Sequence, residues 1–204
     1  MRERISLSVP TMGLIGDAIH TERFLLRKPV LSDAGDIFAG YAQDDDVVRY
    51  LMWKKHPDLA ATERFLQYCL GQWQGNDSTP YALVAKSSGK VVGMVDLRRK
   101  GHCINLGYVL AKSWWGKGGM TEVCQMVVRL LLTRSDIIRV GAVCDIANVG
   151  SARVLEKAGM SHEGILRAYT MPPNMSSLPR DVHCYSMIKQ DLALDQRVVS
   201  LSSF

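Results

Sequence analysis

This chain of 204 residues contains no long apolar run. A membrane-spanning helix needs about 20 predominantly apolar residues. The longest candidate, Met126 to Leu132, is short and broken by Arg129. The first residues, Met1-Arg2-Glu3-Arg4, are charged, but Ser6, Ser8, Pro10 and Gly13 follow. That stretch has neither the apolar segment nor the cleavage site of a secretory signal. The chain therefore reads as cytoplasmic, with no membrane partner. Paired cysteines are also missing. Cys69, Cys103, Cys124, Cys144 and Cys184 stand far apart, and none forms a C-x-x-C pair. That speaks against a disulfide framework and against a metal site. There is no internal repeat at the roughly 20–50-residue period of solenoids and propellers. Glycine and proline are at ordinary levels, which excludes collagen-like and low-complexity material.

The composition is that of a globular protein, with 47% hydrophobic and 22% charged residues. At about 100 to 200 residues per domain, the length fits one domain. The expected limits are an N-terminal extension over 1–20, a folded domain over 21–190 and a tail over 191–204. The net charge of +5 favours anionic partners such as a phosphorylated cofactor, a ribosomal surface or nucleic acid. The basic residues are scattered, with only Arg98-Arg99-Lys100 and Lys54-Lys55 as small clusters. Specific nucleic-acid binding is accordingly disfavoured. Nothing chooses between a monomer and a homodimer.

Hydrophobic period assigns the elements. Phe24 to Lys28 reads as a strand. Ser32-Asp33 opens a helix with Ala34, Ile37, Phe38 and Tyr41 on one face. Asp44-Asp45-Asp46 suits the positive end of a second helix reaching Leu51. A third helix covers Leu59 to Trp73. The period then shortens to that of strands at Tyr81–Lys86, Lys90–Leu97 and Cys103–Leu110. An apolar helix from Met120 to Thr133, a strand from Ile137 to Cys144, and a helix capped by Asn148 and stopped at Gly159 follow. Met160–Arg167 and Val182–Lys189 complete the strands. The layout is α+β with a mixed, mostly antiparallel β-sheet.

Between the third of these strands and the apolar helix lies Trp114-Trp115-Gly116-Lys117-Gly118-Gly119-Met120. Three glycines allow a tight turn and close approach to a ligand. Unpaired amides at the helix start, the helix dipole and Lys117 make an anion nest suited to a pyrophosphate. The spacing matches neither the P-loop nor the dinucleotide fingerprint.

Three ordered blocks sharpen this reading. Asn105-Leu106-Gly107-Tyr108-Val109-Leu110, the glycine loop, and the run from Asn148-Val149-Gly150-Ser151 through Leu155-Glu156-Lys157-Ala158-Gly159-Met160 closely resemble the GNAT superfamily of N-acetyltransferases. The RimJ/RimL-type branch, which modifies N-terminal amines of ribosomal proteins, looks nearest. The resemblance spans roughly residues 20 to 190. It implies helices on both sheet faces and a splayed pair of central strands, with a β-bulge as the expected cause of the splay.

The resemblance also implies acetyl-CoA as cosubstrate and no metal. The backbone of Tyr108, Val109 and Leu110 would pair with the pantetheine arm like an added strand. Trp115, Gly116, Lys117, Gly118, Gly119 and Met120 would hold the pyrophosphate. Asn148 would bond the pantetheine, and Ser151 would stand beside the sulfur as a proton or hydrogen-bond donor. Plain helix capping is the competing role for Asn148 and Ser151, and both roles can coexist. Trp53 and Asn105 would face the acceptor, an amine of a peptide N-terminus or a small molecule. Pro173-Asn174-Met175-Ser176 and the strand from Arg180 would line the same side.

The sequence also departs from the family pattern. Trp115 and Met120 replace the usual outer residues of the loop, and Asn105 stands where many relatives carry Glu. Ala168-Tyr169-Thr170 offers no carboxylate. A water chain ending on Asp181 or His183 is the expected substitute for the usual base, with Arg180–Asp181 pairing as the structural alternative. An α-amine is about 14% neutral at pH 7, against about 0.04% for lysine, so a weak base favours the former. The resemblance implies direct attack of that amine on the thioester, with a backbone amide stabilising the oxyanion. Polyamine or aminoglycoside acetylation is the alternative activity. A non-catalytic CoA-binding or RNA/ribosome-binding module is the alternative of another class.

Overall fold

The computed structural model describes residues 14–75 and 77–192, so residues 1–13 of the expected extension and 193–204 of the expected tail lie outside the described residues. In chain order the elements are β1 (Ala18–His20), β2 (Phe24–Arg27), α1 (Ala34–Ile37), α2 (Asp45–Val48), α3 (Leu59–Gln72), β3 (Ser78–Ala85), β4 (Val91–Lys100), β5 (Cys103–Leu110), α4 (Gly119–Thr133), β6 (Arg139–Asp145), α5 (Val149–Lys157), β7 (Ser161–Thr170) and β8 (Arg180–Ile188). One eight-stranded sheet runs in the order β1-β2-β3-β4-β5-β6-β8-β7. Every pairing is antiparallel except β5 with β6. The fold is therefore α+β with a mixed, mostly antiparallel sheet, as the periodicity indicates.

Helices cover both faces of the sheet. On one, Ala34, Ile37, Tyr41, Val47, Leu66 and Cys69 pack on Ala82, Val84, Val91 and Met94. On the other, Val123, Val127, Leu131 and Leu155 pack on Leu83, Val95, Leu97, Ile104 and Val140. Local chemistry sets the helix starts. The Asp44 carboxylate accepts the Asp46 and Val47 amides, and Asp58 accepts that of Ala61. Each satisfies a donor the helix cannot. Asp33 takes both Arg27 nitrogens, at 2.7 and 2.8 Å, and so ties β2 to the approach to α1. After Ile37 the first helix widens into a π turn over Phe38–Ala42.

Several boundaries differ from the sequence-based expectation. β1 falls inside the stretch expected as an extension. With only Ile19 buried in three residues, it gives no alternation to detect. The second helix ends after Val48, not at Leu51, because the chain turns away toward Trp53. There the Asn174 side chain donates to the carbonyls of Val48 and Trp53. β4 runs past the expected end at Leu97 through Arg98-Arg99-Lys100. Pairing continues to Lys100↔Cys103, and Gly101, at φ 61°, makes the reversal with His102.

The central strands part beyond the third paired residue. β5 and β6 pair only at Cys103↔Arg139, Ile104↔Val140 and Asn105↔Gly141. The expected bulge is not the cause, since β4 and β5 keep an unbroken register from Gly93↔Leu110 to Lys100↔Cys103. Instead each strand stays with its outer neighbour. β5 follows β4, β6 follows β8 as far as Asp145↔Val182, and a gap opens between them.

Candidate active site

Backbone phase decides what the gap offers. Ala111 N–H donates to Val92 O on the β4 side, and His102 O accepts from Ile138 on the β6 side. In an antiparallel ladder the peptide groups alternate direction. Those of Leu106, Tyr108 and Leu110 therefore face the gap, while Val109 turns to β4. Trp115 donates its indole N–H to Leu110 O at 2.8 Å. Tyr108 N–H and C=O and Leu110 N–H are left for an added strand-like ligand.

The gap continues into a groove of about 800 Å³ lined by Arg23, Tyr108, Val109, Leu110, Trp115, Gly116, Gly118, Gly119, Met120, Asn148 and Ser151, among others. Gly116 and Gly118 both sit at φ 72°, which glycine adopts without strain. Gly116 to Gly118 are exposed, and no amide from Gly116 to Gly119 donates to a turn, loop or side-chain acceptor among the described residues. α4 begins at Gly119 with no side-chain cap, so its positive end opens on the groove. These features fit a pyrophosphate.

The Lys117 side chain lies away from the groove. Its ammonium turns back to Ser113 O at 2.7 Å, and the residue does not line the groove. The cation at the loop is Arg23, which sequence reading missed. It donates to Lys117 O at 2.6 Å and to Glu122, also at 2.6 Å, across the groove's lip. Nothing local marks it, because Glu122 lies 99 residues away. Arg23→Gln should raise the KM for acetyl-CoA about tenfold by freeing the loop and removing a charge-assisted bond. A donor truncated before the pyrophosphate, S-acetylpantetheine, should show no such rise.

On the opposite side lies a cleft of about 530 Å³, lined by Trp53, Phe65, Tyr68, Met94, Asp96, Arg98, Asn105 and others. Trp53 and Asn105 both line this cleft. Tyr50, Leu51, Tyr108, Val109, Asn148 and Ser151 line both cavities, which marks where groove and cleft meet. At this junction the Tyr108 and Ser151 hydroxyls lie 2.7 Å apart. Burial pushes the Tyr108 phenol well up, so it keeps its proton. Asn148 Oδ1 accepts Ser151 N–H at 3.1 Å, so it caps α5 while lining the cavities. Cys144 also lines the cleft, but burial pushes its thiol up to about 11, an inert state.

Asp181 is placed elsewhere. It does not line either cavity, and its carboxylate accepts Ala168 N–H at 2.8 Å, where Ala168 sits at φ 51°. Arg180 pairs not with Asp181 but with Asp145 on β6. His183 bonds His162 at 3.0 Å. Two carboxylates line the cleft among the described residues: Asp145, held by Arg180, and Asp96, on the face of β4 that also presents Met94 and Arg98. Asp96 accepts the Ser78 hydroxyl at 2.6 Å and lies 3.4 Å from Arg98.

A split sheet with a groove on one side and a cleft on the other, meeting at Tyr108 and Ser151, has the form of a group-transfer site. Residues 23–161 match the acetyltransferase (GNAT) domain family, and the chain belongs to that family. It is 26% identical over 182 residues to the uncharacterized N-acetyltransferase p20 of Bacillus licheniformis, covering 87% of this chain and 99% of that one. YoaA of Bacillus subtilis, another N-acetyltransferase, is 26% identical over 84% of this chain and 96% of its own. Among solved structures, RimL, a ribosomal L7/L12 alpha-N-protein acetyltransferase in complex with coenzyme A, gives a TM-score of 0.74 at 19% identity over 84% of this chain and 97% of that one. Ribosomal-protein-S5-alanine acetyltransferase from Vibrio fischeri gives 0.72 at 22% identity, over 85% and 97%. The protein is an N-acetyltransferase with the GNAT fold.

Proposed function

We propose that the protein acetylates a primary amine from acetyl-CoA, the amine belonging to a protein N-terminus or a small molecule. The carrying observation is the meeting of groove and cleft at Tyr108 and Ser151. Acetyl-CoA supplies an acetyl group already activated as a thioester. The Gly116–Gly119 amides and Arg23 would hold its pyrophosphate, and the peptide groups of Tyr108 and Leu110 its pantetheine. The Tyr108–Ser151 hydroxyl pair would hold a proton at the sulfur, and a peptide N–H in the gap would stabilise developing negative charge on the carbonyl oxygen.

On the cleft side Asp96 would accept the amine's proton. Asp181, the base expected from sequence, is committed to Ala168. Calorimetric titration with acetyl-CoA, followed by thiol release on adding peptides, tests this reading. Absence of binding at millimolar acetyl-CoA would end it. Asp96→Asn is expected to lower kcat about 100-fold at pH 7. The deficit should shrink above the α-amine pKa of about 7.8, where the amine loses its proton unaided.

A further inference from the structure

Resting on the acetyl-transfer reading, the cleft also carries information about the amine. We propose that the acceptor is a monocationic α-amine whose amine-bearing carbon carries a large apolar or aromatic group, as in an N-terminal leucine, methionine or phenylalanine. The wall facing β4 and β5 is aromatic: Trp53 lies 5.0 Å from His56 and 6.3 Å from Phe65, ring to ring. His56 packs against Trp53 without lining the cleft, and burial pushes its imidazole down. Trp53 and Phe65 lean on the core behind them. Tyr68 and Met52 do not. They line the same cleft at 63% and 58% exposure, too open to count as core. Apolar surface held in contact with water around a pocket marks a binding site.

The wall is braced rather than loose. Asn174 donates to Trp53 O at 2.7 Å, and Tyr50 donates to Ala147 O at 3.2 Å. A ligand therefore meets preformed apolar surface and orders little on binding.

Charge argues in the same direction. Two carboxylates line the cleft among the described residues, Asp96 and Asp145, and each faces an arginine, Arg98 and Arg180. The acidic demand of one amine can be met by Asp96. A second or third ammonium would enter with no free counter-charge, and desolvating it unpaired is costly. Polyamines and aminoglycosides are therefore poor fits.

The test uses the full chain with saturating acetyl-CoA and reads thiol release. The acceptors are phenylalaninamide, leucinamide, glycinamide and spermidine. The three amides share one kind of α-amine, so their kcat/KM ratio reports the side chain. Phenylalaninamide and leucinamide should exceed glycinamide about tenfold or more, the scale of added apolar groups in a pocket, with spermidine slowest. Tyr68→Ala, at a site exposed enough to spare folding, should shrink the phenylalaninamide-to-glycinamide ratio about threefold. Equal rates across the amides, or a preference for spermidine, would overturn this inference and leave acetyl transfer standing. Thiol release with none of the amines would overturn both.

Discussion

Arg180→Ala is expected to lower the melting temperature by several degrees, because it removes the half-exposed partner that holds the Asp145 carboxylate. The Asp145 side chain is only 2% exposed. Arg180 grips it with Nε and, at 2.9 Å, with Nη2. That contact also holds the Asp145 carboxyl below the usual carboxylate range. Truncating Arg180 leaves the carboxylate on the cleft wall with the Ala147 amide as its remaining hydrogen bond. Because the folded-state pKa is depressed, the stabilisation is complete above the unfolded aspartate pKa of about 3.9 and fades as pH falls through the lower folded value. In the variant the stranded carboxyl titrates at higher pH. The gap between the two proteins should therefore narrow as pH drops from 7 to 4. Adding Asp145→Asn should recover more than half of the loss. Thermal melts across that pH range decide the matter, and a gap independent of pH would refute the account.

The same pair shows where sequence reading fails. Arg180 and Asp181 are neighbours in the chain, but alternation sends them to opposite faces of β8. The real partner of Arg180 lies 35 residues earlier, on a strand whose adjacency to β8 is a matter of topology. Asp96 has the same difficulty. Its alternation with Met94 and Arg98 is visible, but the face that borders the cleft depends on where α3 packs. Arg23 looks like an ordinary charge before a strand until the loop at Lys117 folds against it.

The groove proposed to hold the donor was far more legible, for a physical reason. Its chemistry is local: glycines that turn a loop, amides that a helix start leaves unpaired, an asparagine that caps α5. Each is written in a few consecutive residues, and β5 and α5 begin and end where the pattern places them. The cleft proposed for the acceptor draws on α3, β3, β4, β5, β6, β7, β8 and the loop at Trp53, among others. No segment of chain contains it. The splay itself was expected correctly and its cause was not, since a bulge is a feature of one strand whereas this gap arises from how four strands, β4, β5, β6 and β8, divide their pairing.

Gly93→Ala should weaken acetyl-CoA binding about 10- to 100-fold, because small misplacements of a positioning backbone cost that much. A Cβ at Gly93 would stand 2.3 Å from Val109 O and 3.3 Å from Leu110 Cα, both backbone atoms. No rotamer change can relieve such a contact, so β4 and β5 must move apart at this point. Val109 lies between Tyr108 and Leu110, the two residues whose peptide groups face the gap. The displacement therefore falls on the segment proposed to hold the pantetheine arm. Gly71→Ala is the matched control: nothing lies within 4 Å of its added Cβ, and inside α3 the alanine should stabilise by up to about 1 kcal/mol. Calorimetric titration separates the outcomes. A Gly93→Ala protein that folds and binds acetyl-CoA within twofold of the wild type would mean that β5 is not the donor's seat. A large loss of affinity in Gly93→Ala beside an unchanged Gly71→Ala would locate the donor along the inner edge of the parted strands.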